Sequence, residues 1–134
     1  EELLGNDKII TIPHLGASTP ESEENCAVMA VKQVKDFLEN GNIVNSVNYP
    51  DCYLQKSGDR RLIYANRNVP NMIGQVANIL AENKINIADM LNKSKNEYAY
   101  NIIDIDGEIG ENIIDEIKKI KDVIMVRIVE STTI

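Results

Sequence analysis

A regular alternation of strand-like and helix-like segments between residues 60 and 130 is the feature that most constrains the fold. Four segments alternate apolar with polar residues or are rich in β-branched residues, which is typical of strands. Two others repeat apolar residues every three to four positions, which is typical of amphipathic helices. The strands are predicted at residues 61–66, 85–91, 98–106 and 123–129. The helices are predicted near residues 72–83 and 113–120.

The resulting order, β-α-β-β-α-β, predicts an α+β fold of the ferredoxin-like type, in which two helices cover one face of a four-stranded antiparallel sheet. The third strand is predicted to place Asn101 on the same face as three apolar residues, Ala99, Ile103 and Ile105. Four further apolar side chains are predicted to lie in the core rather than in a cofactor site: Met72, Ile73, Ile79 and Met90.

Residues 1–50 follow a different pattern, with one predicted helix between two strand-like segments. The β-branched run Ile9–Ile12 predicts a short buried strand, which a proline ends. The helix is predicted near residues 20–39, because a proline suits its first turn and apolar residues recur at helical spacing. Cys26, beside this apolar face, is predicted to be a small buried side chain. Residues 43–49 alternate again and predict a strand or an extended linker.

A polar segment without periodicity, residues 51–59, is predicted to be a linker between residues 1–50 and a second unit at 60–134. At its end, Arg60 and Arg61 could contact a neighbouring acidic segment, but a pair of solvated charges is the favoured expectation. The chain begins at a glutamate without an initiator methionine, which indicates a piece of a longer protein.

Composition argues against several functional classes. The net charge is -7 with a pI near 4.7, and the only aromatic residues are five Tyr and one Phe, so a nucleic-acid-binding surface is not expected. No apolar run approaches the length of a membrane span, and no secretory signal is visible, which predicts a cytoplasmic protein. With His14 as the single histidine, and Cys26 and Cys52 far apart, neither a metal site nor a disulfide framework is expected.

Three sequence motifs carry a resemblance to known families. The run Ile-Thr-Ile-Pro-His-Leu-Gly-Ala-Ser-Thr at residues 10–19 resembles the "TPH-hydrophobe-GAST" motif of D-2-hydroxyacid dehydrogenases, and residues 47–50, Val-Asn-Tyr-Pro, resemble its "VN-aromatic-P" exit. Residues 58–62, Gly-Asp-Arg-Arg-Leu, and the βαββαβ unit resemble the C-terminal ACT domain of the D-3-phosphoglycerate dehydrogenase family. The resemblance covers almost the whole chain in one collinear order. It implies that residues 1–50 are the tail of the dehydrogenase catalytic region, 51–59 a linker and 60–134 an ACT regulatory domain.

The same resemblance implies the activity of the parent enzyme, NAD-dependent oxidation of 3-phosphoglycerate, the first step of L-serine biosynthesis. His14 would be its general acid/base, a role that suits an imidazole because it titrates near neutral pH. The partners of His14 and the glycine-rich dinucleotide loop are expected outside this chain, since no G-x-G-x-x-G occurs here. The chain alone is therefore predicted to be inactive, to bind no NAD and to hold no metal.

The resemblance further implies an effector site for L-serine between two ACT domains, with Asn68 from one domain and Asn86 from the other. An amide can donate to the carboxylate of serine and accept from its ammonium group. Asn66, Pro70 and Asn71 complete the candidate set. Three positions depart from the family pattern: Asn66 replaces a histidine, Asn71 replaces the glycine of a Pro-Gly turn, and Val69 stands where Arg or Asp is common. Asn is the residue that best replaces glycine at unusual φ, so the turn is expected to survive.

The partners implied are L-serine and other copies of the chain, paired as a dimer here and assembled as a tetramer in the parent. One alternative remains open, and two others are disfavoured. The ACT unit could serve only for oligomerisation, without binding an effector. An acylphosphatase-like enzyme that uses Arg67 and an Asn near a phosphate would leave the match of residues 1–50 unexplained. RNA binding through the sheet would need stacking aromatics and a basic surface, which are missing.

Overall fold

The structure, a computed structural model, describes residues 5–130. Its helices are α1 (Pro20–Asn40), α2 (Met72–Glu82) and α3 (Glu111–Lys119). Its strands are β1 (Arg60–Arg67), β2 (Asn86–Lys95), β3 (Tyr98–Asp106) and β4 (Val123–Glu130). The four strands and two helices predicted between residues 60 and 130 are thereby confirmed, and so is the helix predicted near 20–39.

The four strands form one antiparallel sheet in the order β2-β3-β1-β4, with β1 and β3 in the centre. The predicted α+β ferredoxin-like fold is confirmed by this order. Strand β2 extends four residues beyond its predicted end at Leu91, because its polar residues Asn92–Lys95 also pair with β3. The polar run 93–96 would by itself predict a turn. The turn is confined to Asn96 and Glu97, and Asn96 takes a positive φ of 54°.

One face of the sheet packs against α2 and α3. The buried cluster on this face contains side chains from both central strands and both helices: Leu62, Tyr64, Val76, Leu80, Ile103, Ile105, Ile113 and Ile117. Met72 is buried as predicted, and Ile79 packs against the cluster. The prediction that Met90 lies in the core is wrong: its side chain is 41% exposed, because β2 is an edge strand.

The opposite face of the sheet is covered by residues 37–57, which we call the strap. A second buried cluster joins sheet residues Ile63, Ala65, Tyr100, Ile102 and Val129 to strap residues Ile43 and Cys52. Strap residues Phe37, Tyr49 and Leu54 pack against the same cluster. Within the strap, the strand or extended linker predicted at 43–49 is reduced to a single antiparallel bridge between Ile43 and Cys52.

A buried ion pair ties the strap to the two central strands. The guanidinium group of Arg61 on β1 donates to Asp104 on β3 through Nε at 2.6 Å and through a second nitrogen at 2.8 Å, and both side chains are fully buried. The same guanidinium donates to the carbonyl oxygen of Asn40, and the Ser57 N–H donates to Asp104 at 2.9 Å. The expectation that Arg61 is a solvated charge is therefore wrong. Arg60 is the more exposed of the two arginines and pairs with Glu108 and Glu130.

Close backbone approach at Gly41 brings the strap onto β1 and β3. Gly41 has a φ of 72°, and a Cβ at this position would overlap the side chain of Ile63. Its carbonyl oxygen accepts a hydrogen bond of 2.8 Å from the hydroxyl of Tyr100. A glycine is required here both for the left-handed φ and for the short distance to the sheet.

The ion pair gives the protein a predictable response to acid. Burial alone would raise the pKa of Asp104, but its hydrogen bonds with Arg61 and Ser57 outweigh this effect and hold that pKa below the ordinary value of 3.8. A carboxyl group with a lowered pKa in the folded state stabilises the fold above its unfolded-state pKa and stops doing so as pH falls through the lowered value. We expect the difference in melting temperature between the unmodified chain and an Asp104→Asn variant to be constant from pH 8 to 5. It should shrink below about pH 4. A difference that already shrinks at pH 6 would contradict this assignment.

The described chain forms two compact units that divide between Lys32 and Gln33. In the first unit, Thr19 caps α1 by accepting a hydrogen bond from the Ser22 N–H at 3.2 Å. The strand predicted at Ile9–Ile12 is wrong for residues 5–130, where this run has no ladder partner and Ile10 is 90% exposed. A β-branched run becomes a strand only when a neighbour satisfies its backbone hydrogen bonds.

The prediction that Cys26 is buried is also wrong, because Cys26 is exposed and α1 has no buried side chain. The helical spacing of its apolar residues produced an apolar face, but the described residues provide no layer that buries Cys26. The domain boundaries predicted at residues 50 and 60 stay a prediction.

Candidate functional site

A cavity of about 220 Å³ lies where the loop between β1 and α2 meets strands β1, β2 and β3. Its polar lining consists of four asparagines: Asn66, Asn68, Asn71 and Asn92. The remaining lining is apolar or small and comprises Val69, Met72, Ile73, Gly74 and Ala99. No charged side chain lines this cavity. The charges of a bound ligand would therefore have to form hydrogen bonds with side-chain amides, backbone groups or water.

The loop that opens α2 keeps its shape although a glycine is absent. Asn71 is left-handed, with φ 66° and ψ 16°, and precedes the first residue of the helix. Its side chain makes no capping hydrogen bond, so it leaves the first N–H groups of α2 without a partner from this residue. Gly74 provides room for this side chain, since a Cβ on Gly74 would lie 2.5 Å from the Oδ1 of Asn71. The expectation that Asn replaces glycine in this turn is confirmed.

Asn66 is 2% exposed and forms the inner wall of the cavity. Its Nδ2 donates to the carbonyl oxygen of Arg67 at 2.6 Å. Its Oδ1 accepts a hydrogen bond of 2.7 Å from Asn101 on β3. Asn101 in turn accepts from the Nδ2 of Asn92 on β2.

Sequence reasoning did not identify Asn92 and Asn101 as site residues. A signal was present, because Asn101 was predicted on an otherwise apolar strand face, and a buried polar side chain requires hydrogen-bond partners. For Asn92 no such signal existed, because it is exposed and its partner is known only once the register of β2 and β3 is known.

The other predicted effector residues are placed differently. Asn68 is exposed and donates from Nδ2 to the carbonyl oxygen of Asn96 at 3.2 Å. Pro70 is exposed in the same loop but does not line the cavity. Asn86 lies at the far end of β2 and donates to Asp106 at 2.6 Å. Within one chain the structure therefore brings Asn66, Asn68 and Asn71 together and leaves Asn86 outside their cavity.

His14 is exposed in the loop that precedes α1. Residues 5–130 contain no group of three or more His, Cys, Asp or Glu side chains arranged to hold a metal ion. In the same residues no helix has the length and apolar character needed to cross a bilayer.

The residues present do not fit NAD. The loop between β1 and α2, residues 68–71, contains no glycine, and the sequence has no G-x-G-x-x-G that would let the backbone approach a pyrophosphate group. No NAD site is assigned to this chain.

Comparison with known proteins bears directly on the motifs quoted above. No protein-family model matches the chain. It is 30% identical over 124 residues to the D-3-phosphoglycerate dehydrogenase of Escherichia coli K12, covering 91% of this chain and 30% of that protein. It is 31% identical over 124 residues to D-3-phosphoglycerate dehydrogenase 2 of Saccharomyces cerevisiae, covering 89% of this chain and 26% of that protein. The resemblance to D-3-phosphoglycerate dehydrogenases is thus confirmed, over a chain that spans 30% and 26% of the length of these two relatives.

Among solved structures, the ACT domain from the GTP pyrophosphokinase of Chlorobium tepidum matches 52% of this chain and 95% of its own length. The TM-score is 0.46 at 14% sequence identity. A solution structure of the same domain matches 52% of this chain with a TM-score of 0.44.

Proposed function

We propose that this chain is the C-terminal regulatory part of a D-3-phosphoglycerate dehydrogenase and that its ferredoxin-like unit binds L-serine as a feedback inhibitor. The observation that carries this proposal is the uncharged, asparagine-lined cavity, placed where the resemblance implies an effector site. Residues 60–134 are the ACT domain in this proposal, and residues 1–50 are the tail of the catalytic region.

The chemistry of the cavity suits a small zwitterion. Amide groups offer both donors and acceptors, so they can donate to a carboxylate and accept from an ammonium group without adding net charge. The first N–H groups of α2 favour an anionic group, and a helix of 11 residues carries the dipole that adds to this preference. The carboxylate of serine is therefore expected on the α2 side of the cavity.

A second copy of the chain completes the site in this proposal. Asn86 lies outside the cavity of its own chain, and β2, which carries it, is an edge strand with a largely exposed surface. In a two-fold pair every contact occurs twice, so Asn86 of each copy would reach the cavity of the other and form two equivalent sites. The parent enzyme would be a tetramer built on such pairs.

In the parent enzyme, a cytoplasmic one in this proposal, the exposed loop around His14 would join the rest of the catalytic region. There His14 would act as the general acid/base in the NAD-dependent oxidation of 3-phosphoglycerate. The chain alone lacks the dinucleotide loop and is proposed to be inactive. Serine would inhibit the parent by favouring one arrangement of the paired ACT domains, which requires that serine bind the two arrangements with different affinity.

Calorimetric titration of the chain with L-serine tests the binding step. We expect saturable binding, and an Asn68→Ala variant should bind about tenfold more weakly because it loses one hydrogen-bonding amide. An Asn78→Ala variant, whose exposed side chain on α2 does not line the cavity, is the matched control and should bind like the unmodified chain. If no heat appears at millimolar serine while sedimentation shows a dimer, the unit serves for assembly alone and effector binding is wrong.

A further inference from the structure

Three asparagine side chains form a hydrogen-bonded row across the helix-covered face of the sheet. Asn92 on β2 lies directly opposite Asn101 on β3, and Asn101 lies opposite Tyr64 on β1. Asn66, two residues beyond Tyr64, is the diagonal neighbour of Asn101. We call Asn66, Asn101 and Asn92 the amide row; its two ends line the cavity, and its central member is 1% exposed.

Two backbone carbonyl groups determine which way the amides of this row point. A carbonyl oxygen only accepts hydrogen bonds, so an amide side chain that bonds to it must donate from its NH2 group. The Nδ2 of Asn66 donates to the carbonyl oxygen of Arg67 at 2.6 Å, and the Nδ2 of Asn101 donates to the carbonyl oxygen of Tyr64 at 3.2 Å. The Oδ1 of Asn66 therefore faces the Nδ2 of Asn101, which has then used both of its N–H groups. The Oδ1 of Asn101 is left to accept from Asn92.

This orientation gives the two ends of the amide row different chemistry. The Oδ1 of Asn92 receives no hydrogen bond from residues 5–130, so the β2 end of the row offers an acceptor. At the β1 end, Asn66 and Asn68 each use one N–H on a backbone carbonyl and retain the other. A carboxylate fits the donors at the β1 end, and a ligand must bring a donor to the Asn92 end.

The single acceptor at Asn92 suits an uncharged donor. A hydroxyl group has one hydrogen to donate, whereas an ammonium group has three and would find too few partners there. A charged ligand side chain would lose water without gaining an opposite charge, because the cavity lining contains none. An apolar ligand side chain would cover the Asn92 oxygen and leave it without a partner.

We infer that Asn92 and Asn101 determine which amino acid this cavity selects. Asn92 accepts a hydrogen bond from the uncharged polar side chain of the ligand, and Asn101 is a positioning residue that holds Asn92 and Asn66 in the required orientations. The inference rests on the proposed function, since it takes the ligand to be an amino acid. It goes further by assigning the residues that distinguish a polar side chain from an apolar one.

Titrations with pairs of amino acids that differ by a hydroxyl group test this assignment. The pairs are L-serine with L-alanine and L-threonine with L-valine, each titrated calorimetrically into the full chain. We expect the unmodified chain to bind the hydroxyl member of at least one pair about tenfold more tightly, which corresponds to one hydrogen bond. The Asn92→Leu variant should bring this ratio close to one. Asn101→Leu should do the same, because Asn92 then loses the partner that orients it.

The affinity ratio separates specificity from stability. Both members of a pair need the same folded cavity, so a merely destabilising substitution weakens them equally and leaves their ratio unchanged. Asn92 is exposed on an edge strand, so its replacement leaves the core intact. The matched control is Asn78→Leu, on the exposed surface of α2 and outside the cavity, which should keep the ratio of the unmodified chain.

Two results would overturn the assignment while effector binding stands: equal affinity for both members of each pair, or an unchanged ratio in Asn92→Leu. Failure of the unmodified chain to bind any of the four amino acids would instead overturn the proposed function, and the inference with it.

Discussion

An Asp104→Asn substitution is expected to lower the free energy of unfolding by about 3–5 kcal/mol. The carboxylate of Asp104 lies in a bidentate contact with Arg61, and both side chains are fully buried. Asparagine keeps the shape of the side chain but removes the charge, so the guanidinium remains buried without an opposite charge. Breaking a buried pair on one side costs more than the pair itself contributes, because the remaining ion has lost its water.

A matched substitution at an exposed ion pair is the control for this prediction. Asp115 and Lys118 form a pair on α3 at 3.1 Å, and both side chains are more than half exposed. Asp115→Asn should change the free energy of unfolding by less than about 0.5 kcal/mol, since exposed pairs contribute little. Urea denaturation followed by circular dichroism measures both variants. If Asp104→Asn loses less than about 1 kcal/mol, Arg61 does not depend on Asp104 for its charge balance.

Removal of both charges distinguishes the ion pair from the packing around it. An Arg61→Met/Asp104→Leu variant leaves no buried charge, and such replacements are often neutral or stabilising. We expect this double variant to be more stable than Asp104→Asn. The double variant should still have a lower free energy of unfolding than the unmodified chain, because the Asn40 carbonyl and the Ser57 N–H lose their partners on the sheet.

The elements between residues 60 and 130 could be predicted because burial leaves a pattern in their sequences. On α3, Ile113 and Ile117 lie one helical turn apart and are both buried. Strands β1 and β3 are buried on both faces, and their sequences accordingly contain runs of apolar residues. The run Ile9–Ile12 and the apolar face of α1 carry similar patterns, but a pattern shows only which residues could be buried. Whether a partner layer exists is a tertiary property, which explains the errors at Ile9–Ile12 and Cys26.

The candidate site shows the same limit. Asn66, Asn68 and Asn71 follow one another along the chain, so a motif was sufficient to group them. Asn92 and Asn101 join the site only through the register between β2 and β3. The burial of Arg61 was missed for a related reason: its partner Asp104 is 43 residues away, and an arginine next to a polar segment gives no sign of an opposite charge across the sheet.

A chain shortened to residues 60–134 is expected to lose most of its stability, although it keeps every strand and both helices of the ferredoxin-like fold. The strap would be missing, and with it the side chains that cover the second cluster: Phe37, Ile43, Tyr49, Cys52 and Leu54. Full burial of one large apolar side chain contributes about 1.5–3 kcal/mol. Even with three of the five only half-buried, the sum is several kcal/mol, against a total of about 5–15 kcal/mol for a typical domain.

Polar groups add to the expected loss. Without the strap, the Tyr100 hydroxyl loses the Gly41 carbonyl, and Asp104 loses the Ser57 N–H. Lys93 also loses the carbonyl oxygen of Asp51, to which it donates at 2.9 Å. The uncovered face of the sheet would be apolar in its centre, so we expect the shortened chain to unfold or to associate through that face.

A chain of residues 20–134 is the matched control, because it keeps α1 and the strap and removes only the segment before the helix. It should melt cooperatively at a temperature close to that of the full chain, as measured by circular dichroism, and sediment like the full chain. If residues 60–134 melt at the same temperature as residues 20–134, the strap is dispensable for folding and the domain start predicted at residue 60 holds. If they do not, the strap is part of the folding unit that contains the four-stranded sheet. Movement of the strap would then be coupled to the same strands, β1 and β3, that carry Asn66 and Asn101 on their other face.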